Sequence, residues 1–514
     1  MSLTETCQRI VRDPHLSAAQ KSHALALAAE NALPYPDLPA AVAEAMEQGF
    51  ICDMFEGHAP YKPRYVLPDY EKFLTQGSAW LELAAPQDFD EALNALRILY
   101  HHVPSVTGMP VWLGRLDHLL LPFVGELDDE TLYRKLKGFW VYLDRVLPDA
   151  FMHVNIGPDD NRICRLILRI DNELKQVAPN LTFFHDPEQT PDDLLLQAVK
   201  NIAECSKPHI ANYPIHRDTF DARGFGIVSC YNALPQAGGA NTLVRLSLKR
   251  IAEQCQGIDD FLGCLLPHYC RLASQLIEAR AAFLHDESGF FNSFLVKEGL
   301  LDEDRFVPMF GIYGMAEAVN ILMDKENLPG RYGHGEEANQ LGYRISAQLS
   351  EYVTATPQTH AWGGRSLLHS QGGLSVDVAV TPGVRIPYGQ EPDPASHLLA
   401  LAPHHGYYHS GISEILTLDP TIRQNPQALL QLCKGALAIG MREFTANVAD
   451  SDLVRVTGYM IRKSDVARFA EEGSRLQTTC LGAEASEVTA IRQRAPRVVA
   501  HEATIGAYRV HPDG

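Results

Sequence analysis

Positive charge is scarce in this chain. Its 514 residues carry 44 Lys plus Arg against 63 Asp plus Glu, a formal net charge of −19, whereas phosphate backbones are held by clustered Lys and Arg. Nucleic acid and anionic membranes are therefore disfavoured as partners. Long apolar runs are lacking too. None approaches the roughly 20 residues that span a bilayer, and the opening "MSLTETCQRIVRDPHLS" has no apolar stretch of the signal-peptide kind. The expectation is a cytoplasmic protein. Ten cysteines are scattered without a C-x-x-C pair, which removes the usual zinc and dithiol signatures. In a reducing compartment most of them should be free and buried. There is no fixed-period repeat or low-complexity tract, so solenoid and disordered readings fall away.

What is present describes a globular chain, 46% hydrophobic and 21% charged, able to bury a sizeable core. "DFDEALNALRILYHHV" (88–103) predicts a helix capped by Asp88, with Phe89, Leu93, Leu96 and Leu99 on one stripe. "TPDDLLLQAVKNIAEC" (190–205) predicts another, with Thr190 as its cap and Pro191 at the first helical position. "NPQALLQLCKGALAIGMREF" (425–444) repeats the design behind Asn425 and Pro426. Between these helices lie β-prone runs, "GFGIVSCYNAL", "ANTLVRLSL" and "LSVDVAVTPGVRIPYG". Strands alternating with helices predict an α/β fold with a largely parallel sheet. We expect one integrated domain over 1–514, mainly helical over about 1–150, with a distinct C-terminal region over about 445–514.

In "LVRVTGYMIR" (453–462) a glycine interrupts a β-prone run. Such a glycine ordinarily marks a bulge or a bend. "VRVTGY" also resembles the signature of the glycyl radical enzymes, which typically read R-V-[S, A or C]-G-Y; Thr457 stands where the family prefers a smaller residue. A Cα radical is shared between the flanking amide groups, and the planarity this needs is easiest without a Cβ. The resemblance implies that a separate radical-SAM activase with an iron–sulfur cluster uses S-adenosylmethionine to install the radical on Gly458. It implies that Arg455 and Tyr459 support that loop, and that the radical passes to a cysteine. In "GFGIVSCYNALPQAGGANTLVRLSLKRIA" (224–252), Cys230 ends an apolar run before turn-forming residues, and the segment is similar to the cysteine-loop region of anaerobic ribonucleotide reductases. By itself such a cysteine reads as buried and inert.

Over the whole chain the likeness is to the YjjI-like group of glycyl radical proteins. It implies a ten-stranded α/β barrel of two parallel half-sheets surrounded by helices, with the Cys and Gly loops inside, and a possible homodimer. The departures narrow the chemistry. Acyl-transferring relatives use two adjacent cysteines, where this chain has Ser229. Eliminases of the G-C-x-E type place a glutamate where it has Asn232, and an amide is no base near neutral pH. A base would have to come from elsewhere, with Glu317, His216 and Glu336 as candidates. The zinc ribbon of the reductases has no counterpart, since Cys480 is the one cysteine beyond Gly458. Asn212, His216, Ser229, Asn232 and Glu317 are the expected substrate contacts, and no bound metal is expected; His404, His405 and His409 have no acid or cysteine nearby to complete a ligand set. The expected activity is radical chemistry on a small, hydroxylated substrate. The alternatives are a ribonucleotide reductase-like reductase, a Cys230–His216 hydrolase and a non-catalytic binding protein.

Overall fold

The computed structural model describes residues 2–30, 32–53, 62–103, 111–146, 152–370, 379–412, 414–456, 460–473, 499–501 and 508–510. Two short strands, β1 (Ile51–Asp53) and β2 (Tyr65–Leu67), precede β3 (Trp112–Arg115), β4 (His153–Ile156), β5 (Asn180–His185) and β6 (His209–Asn212). A hairpin follows, β7 (Phe225–Val228) and β8 (Asn232–Pro235), and then β9 (Gly238–Ser247), β10 (Phe306–Tyr313), β11 (Leu367–Ser370), β12 (Ile415–Leu418) and β13 (Glu443–Val448). Two further hairpins are β14 (Leu453–Arg455) with β15 (Met460–Arg462), and β16 (Val499–His501) with β17 (Tyr508–Val510).

The α/β reading holds, with two sheets. One has the order β12-β13-β6-β5-β4-β3, and the other runs β1-β9-β10-β11 with β2 also on β9. Strands β3 to β6 are parallel neighbours, and the helices Arg162–Leu174 and Asp192–Cys205 make their crossovers. Strands β9, β10 and β11 are likewise parallel. Neither sheet is parallel throughout: β13 meets β6 antiparallel, with Glu443 opposite Ala211, and β1 and β2 run antiparallel on β9. The expected parallel half-sheets are thus mixed, because segments far apart in the chain close their edges. Strands β4 to β6 and β9 are buried along their whole length, as parallel strands covered on both faces must be.

The predicted helices form with shifted ends. Asp88 caps Phe89–His102, its carboxylate accepting from the Glu91 N–H. The second helix starts one residue later than predicted, at Asp192, with Pro191 in the cap position; the Thr190 hydroxyl donates instead to the Pro158 carbonyl at 2.9 Å. The third ends at Ala438 and turns through Gly440 (φ 92°), so Glu443 and Phe444 belong to a strand and not to the helix. Of the β-prone run 374–389, the described part, 379–389, forms turns. Among the described residues no helix is long and apolar enough to cross a membrane, and Cys164, Cys205, Cys230, Cys255, Cys270 and Cys433 are buried and not joined in disulfides.

Candidate active site around Cys230

Strands β7 and β8 pair up to Val228 opposite Asn232, which leaves Ser229, Cys230 and Tyr231 as a three-residue tip. Ser229 (φ 59°) and Tyr231 (φ 67°) are both in the left-handed region, where a residue with a Cβ is strained by roughly 1–2 kcal/mol. Contacts on both sides hold this shape. The Asn232 amide donates to the Val228 carbonyl at 2.9 Å and closes the tip. Asn155 of β4 donates to the Ile227 carbonyl (2.9 Å) and accepts from its N–H (3.0 Å), while the Trp112 indole fixes Asn155 at 2.8 Å. A Cβ at Gly226 would stand 2.5 Å from the Trp112 ring, and one at Gly411 only 1.7 Å from the Tyr231 carbonyl oxygen, so both backbones lie flush against their neighbours. Ser410 bonds both backbone groups of Ala233. Cys230 is carried to a buried position, with the Ser229 hydroxyl 3.4 Å from its Sγ.

Below the tip runs a polar ladder across three neighbouring strands. His153 Nε2 lies 2.7 Å from Thr182 Oγ1, which lies 2.9 Å from His209 Nε2. The His209 ring packs 4.4 Å from that of Tyr231. Burial, and then the charge of Arg455, holds His153 well below the ordinary imidazole pKa. Burial does the same for His209, followed by His153 and Arg455. Both rings are therefore neutral near pH 7.

Beside the hairpin sits a buried acid that sequence reasoning missed. Glu443 Oε1 accepts from the Ile412 N–H at 2.9 Å, and its Oε2 lies 3.8 Å from His216 Nε2. Both side chains are fully buried. Burial pushes the Glu443 carboxyl well above the usual range, and burial and then Arg442 hold His216 well below its own. Burial thus favours the uncharged form of both partners. The His216 ring stacks on Phe225, at the base of the cysteine hairpin, at 5.4 Å. Among the described residues neither His216 nitrogen has a hydrogen-bond partner, so His216 forms no hydrogen bond with Cys230. A signal for Glu443 existed in "EFTANV", a short β-prone run directly after the Gly440 turn.

Strands β14 and β15 form the stem of the glycine loop, with Arg455 opposite Met460. Thr457, Gly458 and Tyr459 lie outside the described residues. Asn447 of β13 grips the stem twice, accepting from the Arg455 N–H (2.8 Å) and donating to its carbonyl (2.7 Å). The Tyr388 hydroxyl donates to the Val456 carbonyl at 3.0 Å and accepts from Arg385 Nη1 at 2.6 Å. The Arg455 side chain is fully buried, and its guanidinium carbon stands 5.5 Å from the Tyr231 ring centre. The residue before the glycine loop thereby touches the residue after Cys230.

The other expected contacts are differently engaged. The Asn212 amide donates to the carbonyls of Leu437 (3.1 Å) and Met441 (3.3 Å), tying the end of β6 to the turn before β13. Glu317 accepts from the N–H and hydroxyl of Thr381. Glu336 is exposed and accepts from Gln340. His404 lies between Tyr332 and Ser346, and His405 accepts from the Arg442 N–H. Among the described residues no three His, Cys, Asp or Glu side chains converge as metal ligands; Cys480 lies outside them.

Comparison with known proteins bears on the family and the fold. The YjjI protein of Escherichia coli is 62% identical over 502 residues, covering 98% of this chain and 97% of the relative. Among solved structures, the hydroxyproline dehydratase of Clostridioides difficile, with trans-4-hydroxy-L-proline bound, superposes with a TM-score of 0.69 at 12% identity, covering 94% of this chain and 88% of that one. The anaerobic ribonucleotide reductase of Thermotoga maritima, in complex with dATP and CTP, gives 0.66 at 12% identity over 91% and 89%. At such identities the likeness concerns the fold. The family pattern described as "Glycyl radical enzyme YjjI-like" matches residues 16–497, and with the relative from E. coli it places this chain in the YjjI-like family of glycyl radical enzymes.

Proposed function

We propose that Gly458 stores the radical and that Cys230 delivers it to a small hydroxylated substrate. The contact between Tyr231 and Arg455 carries this reading, because it joins the cysteine tip to the stem of the glycine loop inside the protein. A separate radical-SAM activase supplies the first hydrogen abstraction, at the Gly458 Cα. The Cys230 S–H bond then breaks and its hydrogen returns to Gly458, leaving a thiyl. The thiyl takes a hydrogen atom from a substrate C–H bond and becomes a thiol again. Such a sequence needs a site closed to water and oxygen, and the burial of Cys230 supports that closure.

The dehydration branch of this chemistry finds its acid in Glu443. With the substrate radical on a carbon bearing a hydroxyl, the protonated Glu443 carboxyl protonates the neighbouring hydroxyl, which leaves as water. The proton of the first hydroxyl passes to the carboxylate as the carbonyl forms. The product radical then recovers a hydrogen atom from Cys230, and Glu443 ends as it began. Ser229 in place of a second cysteine speaks against acyl transfer. The deciding experiment is anaerobic activation with the cognate activase, followed by electron paramagnetic resonance. A glycine-centred doublet is expected, and its persistence in Gly458→Ala would refute the assignment.

A further inference from the structure

The structure assigns the substrate a negative charge: we propose that the buried Arg455 guanidinium recognises a carboxylate or phosphate on the molecule that reaches Cys230. This rests on reading Cys230 as the reacting centre. Arg455 is fully buried, and among the described residues its Nε, Nη1 and Nη2 have no hydrogen-bond partner. The residue is not loosely placed, since Asn447 holds both of its backbone groups. The Tyr231 ring lies against the guanidinium at 5.5 Å, a contact that attracts the charge and accepts none of its N–H groups in the hydrogen-bonded sense.

Among the described residues no carboxylate is hydrogen-bonded to this guanidinium. The carboxylate that acts on it, Asp171, is fully engaged by others: Oδ1 accepts from Lys207 (2.6 Å) and Trp140 (3.2 Å), and Oδ2 from Asn201 (2.9 Å). His153 and His209 are neutral, and Arg385 adds a second cation to the neighbourhood, placed by Tyr388 on the same stem. A buried cation without a counter-charge is strongly unfavourable. The planar fork of a guanidinium matches carboxylate and phosphate with paired hydrogen bonds. An anion bound there lies next to Tyr231, and so beside the Cys230 tip, with its carbon skeleton within reach of the thiyl.

The test uses the full-length, unactivated protein, so it does not depend on forming the radical. Acetate, inorganic phosphate and the neutral isostere acetamide are compared at constant ionic strength by thermal unfolding and by the rate of Cys230 alkylation. Acetate or phosphate should raise the unfolding temperature and slow alkylation, and acetamide should do neither. The stronger of the two anions separates a carboxylate from a phosphate ligand. In Arg455→Gln the same protection should require roughly 10- to 100-fold more anion. Arg455→Lys, which keeps the charge and loses the fork, should fall between. No effect of either anion on the wild-type protein, or an effect equal in Arg455→Gln, overturns the proposal. The wild-type alkylation series decides the matter even where a variant fails to fold. Failure here leaves the radical reading standing, and a missing glycine doublet would leave the anion site standing.

Discussion

Arg455 and Tyr231 meet inside the protein although 224 residues of numbering separate them, with the guanidinium carbon 5.5 Å from the ring centre. Each lies close in sequence to a residue with a proposed radical role: Tyr231 directly follows Cys230, and Arg455 stands three residues before Gly458 in "RVTGY". Their contact fixes the spacing of the two loops, and the behaviour of the glycine radical can report on it without any substrate.

The first prediction uses heavy water. The doublet of a glycine radical arises from its one remaining α-hydrogen. When Gly458 and the Cys230 thiol exchange a hydrogen atom, a solvent-derived S–D passes deuterium to the glycine. In heavy water the wild-type doublet should collapse towards a singlet, whereas Cys230→Ala should keep its doublet. Collapse in both proteins would show that Cys230 is not the relay.

Asn447→Ala should loosen the glycine-loop stem. It removes two buried hydrogen bonds, of 2.7 and 2.8 Å, and strands the Arg455 backbone groups, a loss of about 2–4 kcal/mol. A lower urea midpoint and faster amide exchange over 453–462 are the measurements. Unchanged exchange in that segment would contradict the clamp.

Glu443 should leave a signature in stability against pH. Its folded pKa is raised above the unfolded value of 4.5, so its contribution is complete below that value and is lost as pH rises towards the folded pKa. Glu443→Gln removes this dependence. The unfolding temperature of the variant relative to wild type should therefore climb as pH rises from about 4.5 into the neutral range. A flat difference across that window would mean that the carboxyl is ionised in the folded protein.

Oxygen should cut the activated chain at its radical. Exposure to air after activation is expected to leave a C-terminal fragment that begins at or next to Tyr459, seen by mass spectrometry. Gly458→Ala, treated identically, should stay whole.

How much of this could be read in advance depends on how narrowly the chemistry restricts each residue. Gly458 could be proposed from sequence because a Cα radical tolerates little else, and Cys230 because it ends an apolar run just before a turn, and both assignments remain proposals. The helix starting at Asp192 was legible from its period, but its cap was not: Thr190 has a tertiary partner in the Pro158 carbonyl, and no local rule foresees that. Glu443 stayed hidden because the helical pattern seemed to run on past Gly440, where the φ of 92° ends it. In 379–389 the prolines and glycines of "TPGVRIPYG" outweighed the β-prone residues, and turns resulted. The burial of Arg455 was beyond sequence altogether. Arginine is ordinarily a surface residue, and only the folded arrangement of β13, β14 and the cysteine hairpin encloses it.

That enclosed charge turns the electrostatics of the molecule inside out. The chain as a whole carries −19, yet around Cys230 burial favours uncharged imidazoles and an uncharged carboxyl, beside a guanidinium with no hydrogen-bond partner among the described residues. An approaching anion is repelled at long range and attracted only at the last few ångströms. Dissolved salt shortens the reach of the exterior field, to about 8–10 Å at ordinary ionic strength, and weakens a buried contact much less. Anion capture should accordingly speed up as salt is added, opposite to the slowing seen where protein charge steers its ligand inward.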